Sequence, residues 1–194
     1  MSLKIGIAGP VGSGKTSLIE AATNILKEKY KIGIVTNDIY TTEDANYLKQ
    51  SLDLPPEQII GVETGGCPHT AIRDDISMNQ KAVVELEEKF NPDIIFVESG
   101  GDNLSATFSY ELIDYYMYII DTAQGADIPR KKGAGLLFSD LLVVNKTDLA
   151  PYVGVNLDSM QEDVKANRKN KPYVFISNKD EKSLEQVLEW IEAL

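Results

Sequence analysis

Residues Gly9-Pro10-Val11-Gly12-Ser13-Gly14-Lys15-Thr16 match G-x-x-x-x-G-K-[ST] at every fixed position. An apolar run, Lys4–Ala8, precedes them, and a helical pattern opens near Lys15. That strand–loop–helix context gives the octet a physical meaning. Glycines let successive backbone N–H groups curl around a polyphosphate, and the helix N-terminus adds partial positive charge. Lys15 is expected to reach the β- and γ-phosphates, the Thr16 hydroxyl to ligate Mg²⁺, and Ser17 to join Gly9, Gly12, Ser13 and Gly14 around the nucleotide.

A chain that opens this way is committed to an α/β fold, and the rest of it complies. Short apolar runs at Lys4–Ala8, Ile32–Thr36, Ile59–Glu63, Ile94–Glu98, Tyr115–Asp121, Leu141–Asn145 and Tyr173–Ser177 read as strands covered on both faces. Amphipathic stretches at Thr16–Lys29, Ala71–Phe90 and Leu184–Ile191 read as helices between or after them. The alternation predicts a three-layer fold, a mostly parallel central sheet of about seven strands with helices on both faces. Ligands in such sheets bind at the carboxyl ends of the strands, where every motif discussed here falls. With 194 residues and no linker-like or low-complexity stretch, 1–194 reads as one domain.

Mg²⁺ is hard and takes oxygen ligands, so carboxylates at strand ends are candidates: Asp38, Glu63, Glu98 and Asp121. Glu98 ends the run Asp93-Ile94-Ile95-Phe96-Val97 and stands where a Walker-B carboxylate would. Asp38 closes the second strand, where a switch loop would begin. Each of the four has a plainer reading as a cap on the following turn.

Leu141-Leu142-Val143-Val144-Asn145-Lys146-Thr147-Asp148 is a buried strand ending in N-K-x-D. A carboxylate at Asp148 accepts hydrogen bonds from the guanine ring N–H and exocyclic amino group, whereas adenine offers acceptors or C–H there. Lys146 can lay its methylene stem along the purine, and Asn145 can pin the loop. Ser177 and Asn178, after the last strand, fall where a second base-contacting loop belongs, although Ser-Asn-Lys is also ordinary turn chemistry. The motif set points to GTP and GDP as ligands.

The single Cys and the single His lie two residues apart, in Gly65-Gly66-Cys67-Pro68-His69. A lone Cys is ordinarily a small buried hydrophobe, and a lone His a hydrogen-bonded surface residue. Two donors are too few for a closed metal site. Two copies related by a two-fold axis would offer Cys₂His₂, suited to Zn²⁺ in a tetrahedron or Ni²⁺ in a square plane.

The net charge of −11 disfavours nucleic acid and anionic membranes as partners. No secretory leader or membrane-length apolar run is seen, and one Cys cannot form an internal disulfide, so a cytoplasmic location is expected.

With the phosphate and base motifs in place, the chain resembles the UreG family of urease accessory proteins, nickel-insertion GTPases of the SIMIBI class. The resemblance rests on Gly9–Thr16, Thr36-Asn37-Asp38-Ile39-Tyr40-Thr41, Glu63–Arg73, Glu98-Ser99-Gly100-Gly101-Asp102-Asn103-Leu104, Asp121–Arg130 and Asn145–Tyr152. It implies a GTP-bound homodimer that holds Ni²⁺ through Cys67 and His69 and delivers it to apo-urease with other accessory proteins. It further implies Mg²⁺ on Thr16, Asp38 and Glu98, with Lys15 and Asp38 serving hydrolysis. Many such proteins begin with a His-rich tail and this sequence shows none, so metal storage by the N-terminus is not expected. Three alternatives stand beside this reading. A hydrogenase-type nickel-insertion GTPase ordinarily has Cys-His adjacent and lacks the Asp121–Arg130 pattern. A small-molecule kinase ordinarily lacks a guanine reader. A nucleotide switch without metal would show no nickel when loaded with GTP.

Overall fold

The computed structural model describes residues 2–38, 41–66, 68–101 and 104–194. Seven strands form one sheet: β1 Leu3–Ala8, β2 Ile32–Asp38, β3 Ile59–Glu63, β4 Ile94–Glu98, β5 Tyr115–Asp121, β6 Leu141–Asn145 and β7 Tyr173–Phe175. Their spatial order is β3-β2-β4-β1-β5-β6-β7. Every pairing among the described residues is parallel.

The apolar runs that looked continuous in sequence divide by alternation. Ile5, Ile7, Ile94, Phe96, Met117, Ile119, Leu141 and Val143 face one core. Ala8, Ile95, Val97, Tyr118, Ile120, Leu142 and Val144 face the other. Helices α1 (Lys15–Leu26), α2 (Glu43–Ser51) and α8 (Glu181–Glu192) cover the first face through Leu18, Ile19, Leu48, Leu184 and Val187. Helices α3 (Pro68–Arg73), α4 (Ser77–Phe90), α5 (Ile128–Lys131), α6 (Ala134–Phe138) and α7 (Leu157–Arg168) cover the second through Ile72, Val83, Leu86, Leu136, Met160 and Val164. A parallel sheet must be covered on both faces, and three layers result.

The expected helix Ala71–Phe90 is two helices. α3 ends where Asp74 N–H and Asp75 N–H both donate to Thr70 O, at 2.9 and 2.8 Å. The Asp75 carboxylate then accepts from Ser77 N–H at 3.3 Å and starts α4. Local capping wins over the continuing apolar period. Asn79 Nδ2 donates to Ala71 O at 2.9 Å and fastens the two pieces together. The last strand also stops at Phe175, which leaves Ser177 and Asn178 on the loop beyond it.

Candidate nucleotide-binding site

The octet leaves β1 at the centre of the sheet, with β4 on one side and β5 on the other. Its last residues open α1, whose buried stripe of Leu18, Ile19, Ala22 and Leu26 fixes the direction of the helix against the sheet. Gly14 precedes that helix at φ 96, a left-handed conformation. A Cβ there would lie 2.4 Å from Asn145 Nδ2, so the position is closed to side chains on both counts. Lys15 is buried, and its Nζ donates to Gly9 O at 3.1 Å and Pro10 O at 3.3 Å, which holds the ammonium across the loop.

Three side chains join the base loops to this phosphate loop. Asn145 Nδ2 donates to Ser13 O at 2.9 Å, and Asn178 Nδ2 donates to Gly14 O at 3.1 Å. Lys146 Nζ donates to Gly12 O and pairs with the buried Asp121 carboxylate at 3.5 Å. Asn145 Oδ1 also accepts from Lys146 N–H at 2.7 Å and Asn178 N–H at 3.2 Å. One buried amide therefore fixes three loops.

Two cavities share Gly14 and Ser17. The first, about 470 Å³, lies between the start of α1 and the loops carrying Asn145, Lys146, Asp148, Ser177 and Asn178. The second, about 410 Å³, is lined by Gly12, Lys15, Thr16, Asp38, Asp44 and Tyr47, with Gly100 and Gly101 opposite. The pair has the shape of a nucleoside end joined to a polyphosphate end. Sequence reasoning missed the α1 and α2 residues of this wall: Glu20 and Asn24 in the first cavity, Asp44 and Tyr47 in the second. The Tyr47 hydroxyl donates to Glu20 Oε2 at 2.7 Å and ties α2 to α1 across the cleft.

The four strand-end carboxylates differ in their surroundings. Glu98 is 1% exposed, accepts from Thr16 Oγ1 at 2.7 Å, and has no hydrogen-bond partner for Oε2 among the described residues. Burial pushes its carboxyl up to about 7, against a smaller downward pull from Lys15, with Asp44 and Asp38 adding upward. A buried, electron-rich carboxylate bonded to a threonine hydroxyl, with Asp38 in the adjoining cavity, suits a hard divalent cation. Asp121 is otherwise occupied: its Oδ1 accepts from Ala123 N–H at 2.8 Å as a turn cap. Glu63 sits exposed at the end of β3, paired in register with Asp38.

Among the described residues no group of three or more His, Cys, Asp or Glu side chains is assembled for a metal. His69 lies in the first turn of α3, while Cys67, Ile39, Tyr40, Asp102 and Asn103 are outside the described residues. The loop leading to Cys67 is fastened to β2, since Thr64 N–H donates to Asp38 O at 2.9 Å and Thr64 Oγ1 to the same oxygen at 3.2 Å. No described helix is long and apolar enough to cross a membrane.

Solved structures share this architecture. HypB of Helicobacter pylori, in complex with nickel, superimposes with a TM-score of 0.82 at 22% identity, covering 99% of this chain and 86% of that one. The hydrogenase maturation factor HypB of Archaeoglobus fulgidus gives 0.77 at 23% identity, covering 99% and 89%. At those identities the likeness establishes the fold alone. Sequence goes further. The model of the CobW/HypB/UreG nucleotide-binding domain matches residues 3–175. A urease accessory protein UreG of Aliarcobacter butzleri is 84% identical over all 194 residues of both chains. Another, of Lysinibacillus sphaericus, is 58% identical over 191 residues, 98% of this chain and 91% of that one. The chain belongs to the CobW/HypB/UreG nucleotide-binding family, and within it to the UreG urease accessory proteins.

Proposed function

We propose that this chain is a GTP-hydrolysing nickel carrier that dimerises with GTP, holds Ni²⁺ between subunits and delivers it to apo-urease with other urease accessory proteins in the cytoplasm. The observation that carries the reading is the base-side cavity, where Asn145, Lys146, Asp148, Ser177 and Asn178 converge and are bonded to the phosphate loop. Identity of 84% to a urease accessory protein favours this over the hydrogenase-type alternative, which is supported by fold likeness alone.

In this reading guanine lies against Asp148 and Lys146, and the phosphates lie along Gly12–Thr16. Lys15 exchanges the Gly9 and Pro10 carbonyls for β- and γ-phosphate oxygens, a charge-assisted contact stronger than the neutral ones it replaces. Mg²⁺, held by Thr16, Asp38 and Glu98, would supply further positive charge against those oxygens. Asp38 orients a water for attack on the γ-phosphorus, the bond to the β-bridging oxygen breaks, and GDP and phosphate leave. No glutamine or arginine finger is evident in the motifs, so turnover without partners is slow. Order at Asp38 passes to the Cys67-Pro68-His69 loop, and two such loops across a dimer present two thiolates and two imidazoles to nickel. Zn²⁺ is the competitor for that set.

Two measurements test the reading. Metal content and solution mass, taken with a GTP analogue and with GDP, should give a dimer with one nickel only in the first state. Nucleotide competition should rank GTP far above ATP, and Asp148→Asn should lower GTP affinity about a hundredfold while improving XTP, because an amide can donate to the 2-oxo group. Equal competition by ATP removes the guanine assignment, and one metal per monomer regardless of nucleotide removes the shared site.

A further inference from the structure

Against a net charge of −11, basic residues are concentrated in one place. The runs Ile128–Lys132 and Lys165–Lys171 together contain seven of the nineteen Lys and Arg and no Asp or Glu. The fold brings the runs together. Asn167 Nδ2 donates to Pro129 O at 3.1 Å, and Arg130 pairs with Asp163 at 3.4 Å. Lys131 pairs with Asp127 at 3.0 Å. Lys132, Lys165 and Lys169 are exposed and have no ion-pair partner among the described residues.

Cations in the last turn of a helix offset its dipole, which accounts for one or two of these residues on α5 and on α7. It does not account for lysine at both C-caps. Lys132 and Lys169 stand at φ 53 and 55, in the left-handed region where glycine is usual. Nor does it account for Lys171, which lies past the helix.

Beside the basic runs is a cavity of about 310 Å³ lined by Phe108, Tyr110, Ile113, Phe138 and Lys171. Phe138 is 60% exposed and Tyr110 71%. Lys171 belongs to both features: it lines the cavity, and its Nζ donates to Phe138 O at 2.8 Å. The ground beneath is rigid. The buried Arg168 guanidinium donates to Leu136 O at 2.8 Å, Ser139 O at 3.0 Å, Ser139 Oγ at 2.8 Å, Asp140 O at 3.2 Å and Pro172 O at 2.6 Å. The cavity lies at the amino ends of β5, β6 and β7, opposite the nucleotide. An occupant there leaves both nucleotide cavities open.

We propose that this basic and aromatic surface is a docking site for an acidic segment of a partner protein, anchored by an apolar side chain in the Phe108–Phe138 cavity beside Lys171 and held by Lys132 and Lys169 on the adjoining basic runs. Charge complementarity selects the occupant. Unpaired lysines on a strongly acidic chain attract negative charge, and exposed aromatics in a preformed hollow are the usual anchors of protein interfaces. RNA and anionic lipid headgroups would meet the same lysines, but neither brings an apolar side chain to fill the aromatic hollow.

The test uses the full chain and a fluorescein-labelled peptide, Glu-Glu-Leu-Glu-Glu-Phe-Glu-Glu, with controls in which Lys replaces Glu or Ser replaces Leu and Phe. Oligouridylate and anionic vesicles are run in parallel, at about 50 mM and about 300 mM salt. The acidic apolar peptide should bind best and weaken with salt. The double variant Lys132→Glu/Lys169→Glu should weaken it by at least about tenfold, and Phe138→Ser should weaken it without altering the salt dependence. Both variants should keep the GTP affinity of the parent chain, which separates this site from the nucleotide assignment and serves as the folding control. The proposal fails if the peptide binds no better than its Lys control or if the double variant binds it equally well. It fails too if RNA or vesicles are preferred, or if the only binding lost in the double variant is self-association.

Discussion

The Thr16 hydroxyl donates to Glu98 Oε1 at 2.7 Å, joining the last residue of the phosphate loop to the last residue of β4. This contact spans 82 positions in sequence and depends on β4 being the immediate neighbour of β1. It places a nearly inaccessible carboxylate beside the loop that would receive the most highly charged part of a nucleotide. The fold thus stores an electrostatic cost where a cation could relieve it.

That cost predicts a pH signature in protein freed of metal and nucleotide. A carboxyl whose folded pKa, about 7, lies above its ordinary value of 4.5 binds its proton more tightly in the folded chain. Its contribution favours folding at low pH and is lost as pH rises from about 4.5 to about 7, by roughly 3 kcal/mol. Glu98→Gln should flatten that part of the curve and leave the chelated protein more stable than the parent at pH about 8. Urea unfolding of both proteins in EDTA across this range measures the difference. Hydrolysis by the variant should fall roughly a hundredfold, since a neutral amide is a poor partner for Mg²⁺. Parallel stability curves would show that Glu98 is not the strained group.

A second prediction concerns the joint between the phosphate and base loops. Gly14→Ala puts a methyl 2.4 Å from Asn145 Nδ2 at a backbone position with φ 96. Asn145 must move, and its bonds to Ser13 O and from Asn178 N–H are lost with it. GTP affinity should fall at least about tenfold, and the preference for GTP over ATP should narrow, although Gly14 carries no group that reads a base. Asn145→Ala should do much the same. The double variant should be less than additive, because the clash has no partner left. Additive losses in isothermal titration would mean that the two loops act separately.

Much of this site was legible from the chain because the chemistry requires fixed residues at fixed spacings. Lys15 and Thr16 in the octet, and Asn145 and Asp148 on the fourth-to-first spacing of N-K-x-D, are cases of that kind. Glu98 was legible as a carboxylate ending a buried run, but not its bond to Thr16, which follows from strand order. Asp44, Tyr47, Glu20 and Asn24 carried no signal, since only the packing of α2 on α1 brings them to the cleft. The break between α3 and α4 hid for a different reason. Ile72, Ile76, Val83 and Leu86 keep a helical period across it, while the capping information lies in Asp75 and Ser77, whose spacing of two carries little weight alone. The burial of Arg168 carried no signal in the sequence, and the five acceptors around its guanidinium accompany it, with desolvation pulling its pKa down to about 10.

The nickel assignment makes the next prediction. Each chain contributes one Cys and one His to the proposed set, so Cys67→Ala or His69→Ala leaves a dimer with two donors in place of four. Either change should cut nickel affinity in the presence of a GTP analogue by more than about a hundredfold. GTP affinity should stay within about twofold of the parent, since neither residue belongs to the phosphate-loop or N-K-x-D motifs. Equilibrium dialysis with nickel, alongside light scattering, follows both quantities. Nickel retained at one per dimer in both variants would place the metal elsewhere.

The last prediction asks how the nucleotide would reach that loop. Thr64 is bonded to Asp38 O through its N–H at 2.9 Å and its hydroxyl at 3.2 Å, and the same hydroxyl lies 3.3 Å from Gly66 O. It stands three residues before Cys67, on the first turn of chain beyond β3. A shift in Asp38 on binding GTP and Mg²⁺ would therefore reach Thr64 directly through these two bonds. Thr64→Val keeps the side-chain shape and the backbone bond but removes the hydroxyl, whereas Thr64→Ser keeps the hydroxyl. The valine variant should bind GTP within about twofold of the parent yet lose about tenfold in GTP-dependent nickel affinity, and serine should restore most of it. If Thr64→Val weakens nickel binding equally with GTP and with GDP, Thr64 merely shapes the loop. If it changes neither, the link from Asp38 to the Cys67-Pro68-His69 loop runs through other contacts.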